Sequence, residues 1–371
     1  MHIMHVIDSL SVGGAERMLI EIANRTGVDG HRVSVCITRS DYSMATYLRP
    51  DISTYILGRQ RRFDWKAIRK FAFIVHAKQV DILQAHSRTT LAFLALTKTL
   101  GLIKVPIILH DHYGGIEIDS SIPIWFRLWA KHLISHYVGV YAKLGEWAES
   151  AGINPNKISV IENALDLSAF LKPVSLNIRQ ELNIPANMPL GIVIGGIRKE
   201  KGIDILLKVL AQGSFRRHLK ILVVGGERDK DYAQNCRKER NQLGLEDCVI
   251  FLGERHDVPD LLGEADFGLI PSRSESGPLV LIEYMASALP FISTLVGGIA
   301  KRLSELGIPE FVPPNDSKAF AEALDSLLRL SKSKRRERGS AGKEVALGNF
   351  DINIKIPQWY KIYERTLQAI R

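Results

Sequence analysis

The stretch Pro271-Ser-Arg-Ser-Glu275-Ser-Gly-Pro-Leu-Val-Leu-Ile-Glu283-Tyr-Met-Ala286 decides how the rest of the chain is read. The run before it, Ala265 to Ile270, reads as a buried strand, and the run Leu279 to Leu289 reads as a buried helix. Gly277 and Pro278 suit the N-cap and first-turn positions of that helix. Glu275 therefore falls on the loop at the carboxyl end of a strand. Glu283 lies about one and a half turns into the helix, roughly 9 Å further along at the α-helical rise. Between the two carboxylates lie the free N–H groups of a helix start, which suit an anion. A carboxylate, an anion cradle and a second carboxylate, in that order, match a ligand with hydroxyls at both ends and phosphates in the middle, such as a nucleotide sugar. Taken alone, the plainer alternative leads: a capped core helix with two solvated glutamates.

With 371 residues and 46% hydrophobic content, the chain is long enough for two domains of ordinary size. The net charge of +9 is compatible with anionic membranes, nucleic acids or phosphorylated substrates and is silent on fold. Cys36, Cys236 and Cys248 show neither paired nor metal-ligand spacing, so buried thiols in a reducing cytoplasm are expected. The first ten residues, MHIMHVIDSL, read as a strand and a loop, not a signal peptide. No apolar run approaches the length of a transmembrane helix.

The pattern along the chain is strand, loop, helix, repeated twice over. His2 to Ile7 is a strand, Asp8 to Gly14 a loop and Ala15 to Ala23 helical, without the G-x-G-x-x-G of a dinucleotide site. Gly13 and Gly14 either admit a ligand to the backbone or make a tight turn. Further strands are expected at 31–38, 51–57, 80–85, 105–109, 137–140 and 158–161. His86, His110, Asp111 and His112 all fall at strand ends, where open α/β sheets gather functional groups. Zinc ligation by His110-Asp-His112 is the alternative, without cysteine or H-E-x-x-H support. Two segments are basic and aromatic: Arg59 to Phe71, and Ile122 to Lys131. They read as a membrane-surface face in preference to ordinary amphipathic helices. The polar stretch from Phe170 to Pro189 is the domain boundary. After it, strands at 190–194, 219–224, 248–252, 267–270 and 291–293 alternate with helices, and an aromatic helix spans Ile356 to Ile370. The expected architecture is α/β, with two doubly wound domains facing across a cleft.

Across almost its whole length the chain resembles the retaining glycosyltransferases of the GT-B fold, family four. Glu275 and Glu283 keep that family's E-x7-E spacing. Phe251-Leu-Gly, Asp257-Val-Pro, Ala265-Asp266, Pro271-Ser272, Pro278-Leu-Val-Leu-Ile-Glu283 and Val296-Gly-Gly298 follow its pattern in order. So do Gly13-Gly-Ala-Glu-Arg17, His112, Asn163 to Asp166, Glu200-Lys201-Gly202 and Val312-Pro-Pro-Asn-Asp316. The resemblance overturns the plainer reading of the opening stretch. It implies an N-terminal acceptor domain at 1–168, a donor domain at 169–354 and a C-terminal helix, 355–371, packed back on the first. It also implies residue roles. Glu283 would hold the ribose, and Glu275 would face the transferred sugar. Lys201 would neutralise the leaving diphosphate. The amides of Gly277, Pro278, Leu279 and Val280, beside Ser276, would cradle it. His112 would touch the sugar from the opposite domain, and Gly13 and Gly14 would approach the phosphates. No metal and no cofactor is implied. The substrate would be a nucleotide diphosphate sugar, a UDP-sugar in preference to a GDP-sugar. The acceptor would be a glycan or a lipid-linked sugar in bacterial surface polysaccharide or glycoconjugate synthesis. The enzyme would be cytoplasmic, touching the anionic inner face of the membrane, with no nucleic-acid partner.

The departures are specific. The family's arginine before E-K-G is Gly196, which leaves Arg198 as the residue expected to reach the diphosphate. The common G-F after the first glutamate is Ser276-Gly277. Lys301, Tyr141 and Ala164 stand where a glutamate, a serine and the hinge glycine are usual. The missing arginine motivates an alternative, a catalytically inactive sugar-nucleotide or glycan binding protein on the same scaffold. A GT-B epimerase is a third reading, disfavoured by E-x7-E and E-K-G. Asp229-Lys-Asp231 formally fits a metal-binding D-x-D, but acids at a helix start read better as caps.

Overall fold

The computed structural model describes residues 1–172, 177–213, 218–308 and 311–369. The chain divides into two compact units, Met1–Leu165 with Ile352–Arg371, and Asp166–Asp351. Both divisions fall three residues before the sequence-based boundaries at 168 and 354. Residues 173–176 of the expected linker and 370–371 of the expected last helix lie outside the described residues.

Unit 1 is built on β1 (His2–Ile7), β2 (Arg32–Ile37), β3 (Ser53–Ile56), β4 (Ile82–Ala85), β5 (Ile107–Asp111), β6 (Ile134–Gly139) and β7 (Ile158–Val160). They form one parallel sheet in the order β3-β2-β1-β4-β5-β6-β7. All six residues of β1 are buried, because helices cover both faces of a parallel sheet. Those helices are α1 (Gly14–Val28), α2 (Trp65–Ala77), α3 (Arg88–Thr99), α4 (Ile124–Leu128) and α5 (Ala142–Ser150). Asp64 and Ser87 cap α2 and α3 by accepting from the N–H three residues on.

Unit 2 repeats the design. Its strands are β8 (Leu190–Ile194), β9 (Lys220–Val224), β10 (Val249–Gly253), β11 (Phe267–Ile270), β12 (Phe291–Thr294) and β13 (Phe311–Val312). They form a parallel sheet in the order β10-β9-β8-β11-β12-β13. Its helices are α6 (Ile178–Glu181), α7 (Ile203–Gln212), α8 (Lys230–Gln242), α9 (Val258–Glu264), α10 (Leu279–Ala286), α11 (Gly297–Glu305), α12 (Ser317–Arg329) and α13 (Lys332–Asn349). The last helix, α14 (Ile352–Gln368), belongs to unit 1. There Tyr363 donates to Gln84 Oε1 at 2.6 Å and Lys355 pairs with Glu162 at 2.9 Å.

In both sheets the strand order reverses beside the first strand, between β1 and β4 and between β8 and β11. Loops leave such a point in opposite directions and open a crevice at the carboxyl ends. Several expectations shift by a residue or two. β5 ends at Asp111, so His110 and Asp111 are strand residues and His112 is the first beyond the strand. α10 stops at Ala286 instead of running to Leu289, because Ala288 turns into the left-handed region at φ 53°. Its N-cap is Pro278, not Gly277.

Candidate functional site

In unit 2 the loops after β8 and β11 are tied together by one side chain that the sequence reading passed over. The Arg273 N–H donates to the Glu200 carbonyl at 2.6 Å, and its guanidinium donates to the Lys199 carbonyl at 2.8 Å. The same guanidinium makes a two-point contact with Asp204, at 2.8 and 2.6 Å. Burial works against the Asp204 carboxylate, but bonds from Arg273 and Tyr232 outweigh it and hold its pKa below the usual range. Gly202, at φ 66°, lets the Lys199–Lys201 turn pass so close that an added Cβ would lie 2.0 Å from the Pro271 carbonyl oxygen.

This clamp brings Lys201 and Glu275 together. Lys201 Nζ lies 2.6 Å from Glu275 Oε1, and Ser272 Oγ donates to the same oxygen at 2.8 Å. Glu275 is only 7% exposed, so the pair is largely withdrawn from water and its Coulomb attraction is correspondingly strong. Ser272 is a site residue the sequence reading named only as part of a motif. The loop is supported from behind by Val296-Gly-Gly298. Gly298 N–H donates to the Ser276 carbonyl at 2.8 Å, and at Gly297, φ 80°, a Cβ would sit 2.9 Å from that oxygen.

Ser276, Gly277 and Pro278 are buried, and α10 begins directly after them. Pro278 carries no N–H, so within the expected cradle only Gly277, Leu279 and Val280 can donate. Glu283 is half-buried on α10. Arg198 does not turn toward this pair. It is exposed, with Nε 3.7 Å from Glu200 Oε2. Asp229 accepts from Tyr232 N–H at 3.0 Å as the N-cap of α8, which is the capping role and not a metal motif.

In unit 1, Gly13 and Gly14 stand at the start of α1. Gly14 faces open space, whereas a Cβ at Gly13 would strike the Glu16 carboxylate at 2.2 Å. The strand-end histidines form one cluster, and it contains His5, which sequence reasoning missed. His5 Nδ1 and His86 Nε2 are 3.0 Å apart. The ring of His110 lies 5.3 Å from that of His86, 3.9 Å from His112 and 4.6 Å from Trp359 on α14. Burial pushes the His5 and His112 pKa values down to about 3. Burial first, and then neighbouring histidines, lower His86 and His110 well below their ordinary value. All four are neutral imidazoles at neutral pH. Asp111 is absorbed structurally: it accepts from Arg88 and from the Tyr137 hydroxyl, both at 2.7 Å.

The ring nitrogens of His86, His110 and His112 lie within 4.8 Å of one another. Ligands of a tetrahedral zinc are spaced about 3.4 Å apart. The donors therefore suit a metal in kind.

The two basic aromatic segments differ from expectation in which side chains face out. Arg59 is buried and pairs with Asp8 at 2.6 Å, while Phe63 and Trp65 are exposed; Phe73, two residues past the segment, is exposed as well. In the second segment Trp125 and Trp129 pack on the core with the fully buried Phe126, so Ile124 and Leu128 are the exposed residues.

Two family models match the chain: "Glycosyltransferase Family 4" over residues 12–169 and "Glycosyl transferases group 1" over residues 174–345. N-acetyl-alpha-D-glucosaminyl L-malate synthase of Bacillus anthracis is 24% identical over 96% of this chain and 95% of its own length. D-inositol 3-phosphate glycosyltransferase of Thermomonospora curvata is 32% identical over 52% of this chain, which spans about half, 48%, of that relative. Among solved structures, HepE of Anabaena in complex with UDP and glucose superposes with a TM-score of 0.83 at 22% identity, over 98% of this chain and all of the other. The fold is the GT-B fold, with two Rossmann-like parallel-sheet domains.

Proposed function

We propose that this chain, which belongs to the glycosyltransferases of the GT4 type, moves a sugar with retention and without a metal from a nucleotide diphosphate sugar to a glycan or lipid-linked acceptor. The observation that carries the reading is the Lys201–Glu275 contact at 2.6 Å, held between the β8 and β11 loops next to the start of α10. Breaking the bond between the anomeric carbon and the phosphate oxygen leaves its electron pair on the diphosphate and positive character on the sugar ring. Lys201 and the Gly277, Leu279 and Val280 amides stabilise the first, and the Glu275 carboxylate the second. The acceptor hydroxyl oxygen forms the new bond to the anomeric carbon, and its proton passes to the departing diphosphate oxygen. Glu283 accepts from the ribose hydroxyls. His112, neutral at working pH, offers hydrogen bonds without charge. A UDP-sugar is the preferred donor, supported by the UDP bound in the Anabaena protein.

The acceptor is assigned to unit 1, in bacterial surface polysaccharide or glycoconjugate assembly at the inner face of the cytoplasmic membrane. Among the described residues no helix is long and apolar enough to cross a membrane. Exposed Phe63, Trp65 and Phe73 beside Lys66, Arg69 and Lys70 support peripheral contact with anionic lipid. Flotation with anionic vesicles at low salt tests this; protein left at the bottom of the gradient refutes it.

The central test is transfer and donor hydrolysis with a panel of UDP- and GDP-sugars, with and without EDTA. Lys201→Ala and Glu275→Ala should each lose at least roughly a hundredfold in turnover. EDTA should leave turnover unchanged, and the product should keep the donor's anomeric configuration by NMR. Full activity in both variants overturns the site. Donor binding without turnover of any sugar points instead to a binding protein.

A further inference from the structure

Gly196 has no side chain, yet the space one would fill is taken. A Cβ built on it lies 2.6 Å from Arg228 Cγ, 3.6 Å from Cβ and 3.7 Å from Cδ, and these are its three nearest neighbours. Gly196 lies outside the left-handed region, so its backbone is open to other residues and the nearest obstacle to a side chain is Arg228. At the adjacent Gly195 a Cβ would meet Lys201, with Cε at 3.1 Å and Nζ at 3.4 Å. Two neighbouring glycines of one turn are thus crossed by two cationic side chains from different loops.

The backbone fixes this arrangement. Gly225 is packed so closely that its Cβ would lie 2.1 Å from the Gly195 carbonyl oxygen. Gly195 N–H donates to Val224 at 2.9 Å, Ile197 N–H to Gly226 at 2.8 Å and Asp229 N–H to Ile197 at 3.1 Å. Glu227 is held by Arg237, and Asp229 by its capping of α8. Arg228, between them, is exposed.

Electrostatics gives the pairing a purpose. The Lys201 charge is matched by Glu275, and Arg198 faces Glu200. A diphosphate carries more negative charge than one ion-paired lysine offsets, and a guanidinium fork suits phosphate oxygens better than a second ammonium. We propose that Arg228 is a diphosphate-binding residue of the donor site, delivering from the β9–α8 loop the cation that position 196 does not carry. This rests on the donor-site reading above.

Isothermal titration with UDP, GDP and their monophosphates tests it on wild type, Arg228→Ala, Arg228→Lys, Gly196→Arg and the double variant Gly196→Arg/Arg228→Ala. Arg228→Ala should weaken the preferred nucleoside diphosphate roughly tenfold or more and the monophosphate less than about threefold, with Arg228→Lys in between. Gly196→Arg alone should bind poorly, because its side chain meets Arg228, and the double variant should recover to within about threefold of wild type. Arg228→Ala binding like wild type, an equal loss for mono- and diphosphate, or a double variant no better than Gly196→Arg overturns the assignment. Wild type binding neither UDP nor GDP overturns the donor site itself, and this inference with it.

Discussion

Acid should unfold unit 1 well before it unfolds an average domain, and the histidine cluster sets the size of the effect. His5 and His112 have folded-state pKa values of about 3 against an ordinary 6.5. Below pH 6.5 the unfolded chain therefore binds protons that the folded unit refuses. The stability these residues contribute is complete above about pH 6.5 and is lost as pH falls toward about 3. At pH 5.5 each costs about 1.4 kcal/mol relative to neutral pH, so the two together cost about 3 kcal/mol. His86 and His110 are shifted in the same direction and add to the loss. That is a large fraction of the 5–15 kcal/mol a domain typically holds in reserve. The group facing the cluster from the last helix is Trp359, and the titratable neighbours of His86 and His110 are other histidines of the cluster. The assay is built into the chain, because all five tryptophans (Trp65, Trp125, Trp129, Trp147 and Trp359) lie in unit 1. Tryptophan fluorescence in urea should show the midpoint falling steeply between pH 7.5 and pH 5.5. His112→Gln should remove about 1.4 kcal/mol of that sensitivity. A midpoint and slope unchanged across this range would refute the reasoning.

Two further substitutions follow from close contacts. Gly202→Ala places a Cβ 2.0 Å from the Pro271 carbonyl and adopts φ 66°, so it should push Lys201 away from Glu275. Donor turnover should fall at least roughly tenfold, with about 1–2 kcal/mol of backbone strain in unit 2, read by steady-state kinetics and circular-dichroism melts. Tyr363→Phe strands the buried Gln84 Oε1 and should cost unit 1 about 1–3 kcal/mol in the same urea assay, without changing nucleotide affinity.

Much of the fold was legible because parallel strands buried on both faces write themselves as short apolar runs. β11, at Phe267–Ile270, matches its sequence-based bounds, and β8 does so at Leu190–Ile194. Ends were less legible where a later contact decides them. α10 stops at Ala286 because Ala288 goes left-handed, and β5 extends to Asp111 because Arg88 and Tyr137 hold that carboxylate in place. The two amphipathic segments diverge for a similar reason, Phe63 and Trp65 of the first being exposed and the rings of the second turned inward. Aromatic rings at 125, 126 and 129 carry the largest apolar area, so they turned to the core and left Ile124 and Leu128 outside.

By itself the sequence determined two parallel α/β sheets, the helix start after Glu275, and the placing of Glu275 on the loop before that helix and of Glu283 within it. These depend on periodicity, capping and spacing within a few residues, which local chemistry dictates. Tertiary structure alone decided that Lys201 reaches Glu275 across 74 residues, that Arg273 locks their loops together, that His5 joins the strand-end histidines and that Arg228 fills the space at Gly196. Each of those contacts joins residues carried by different strands or by the loops that follow them. Their meeting follows from which strands lie side by side in each sheet, β1 beside β4 and β8 between β9 and β11, a property of how whole strands pair and not of any residue's own preference.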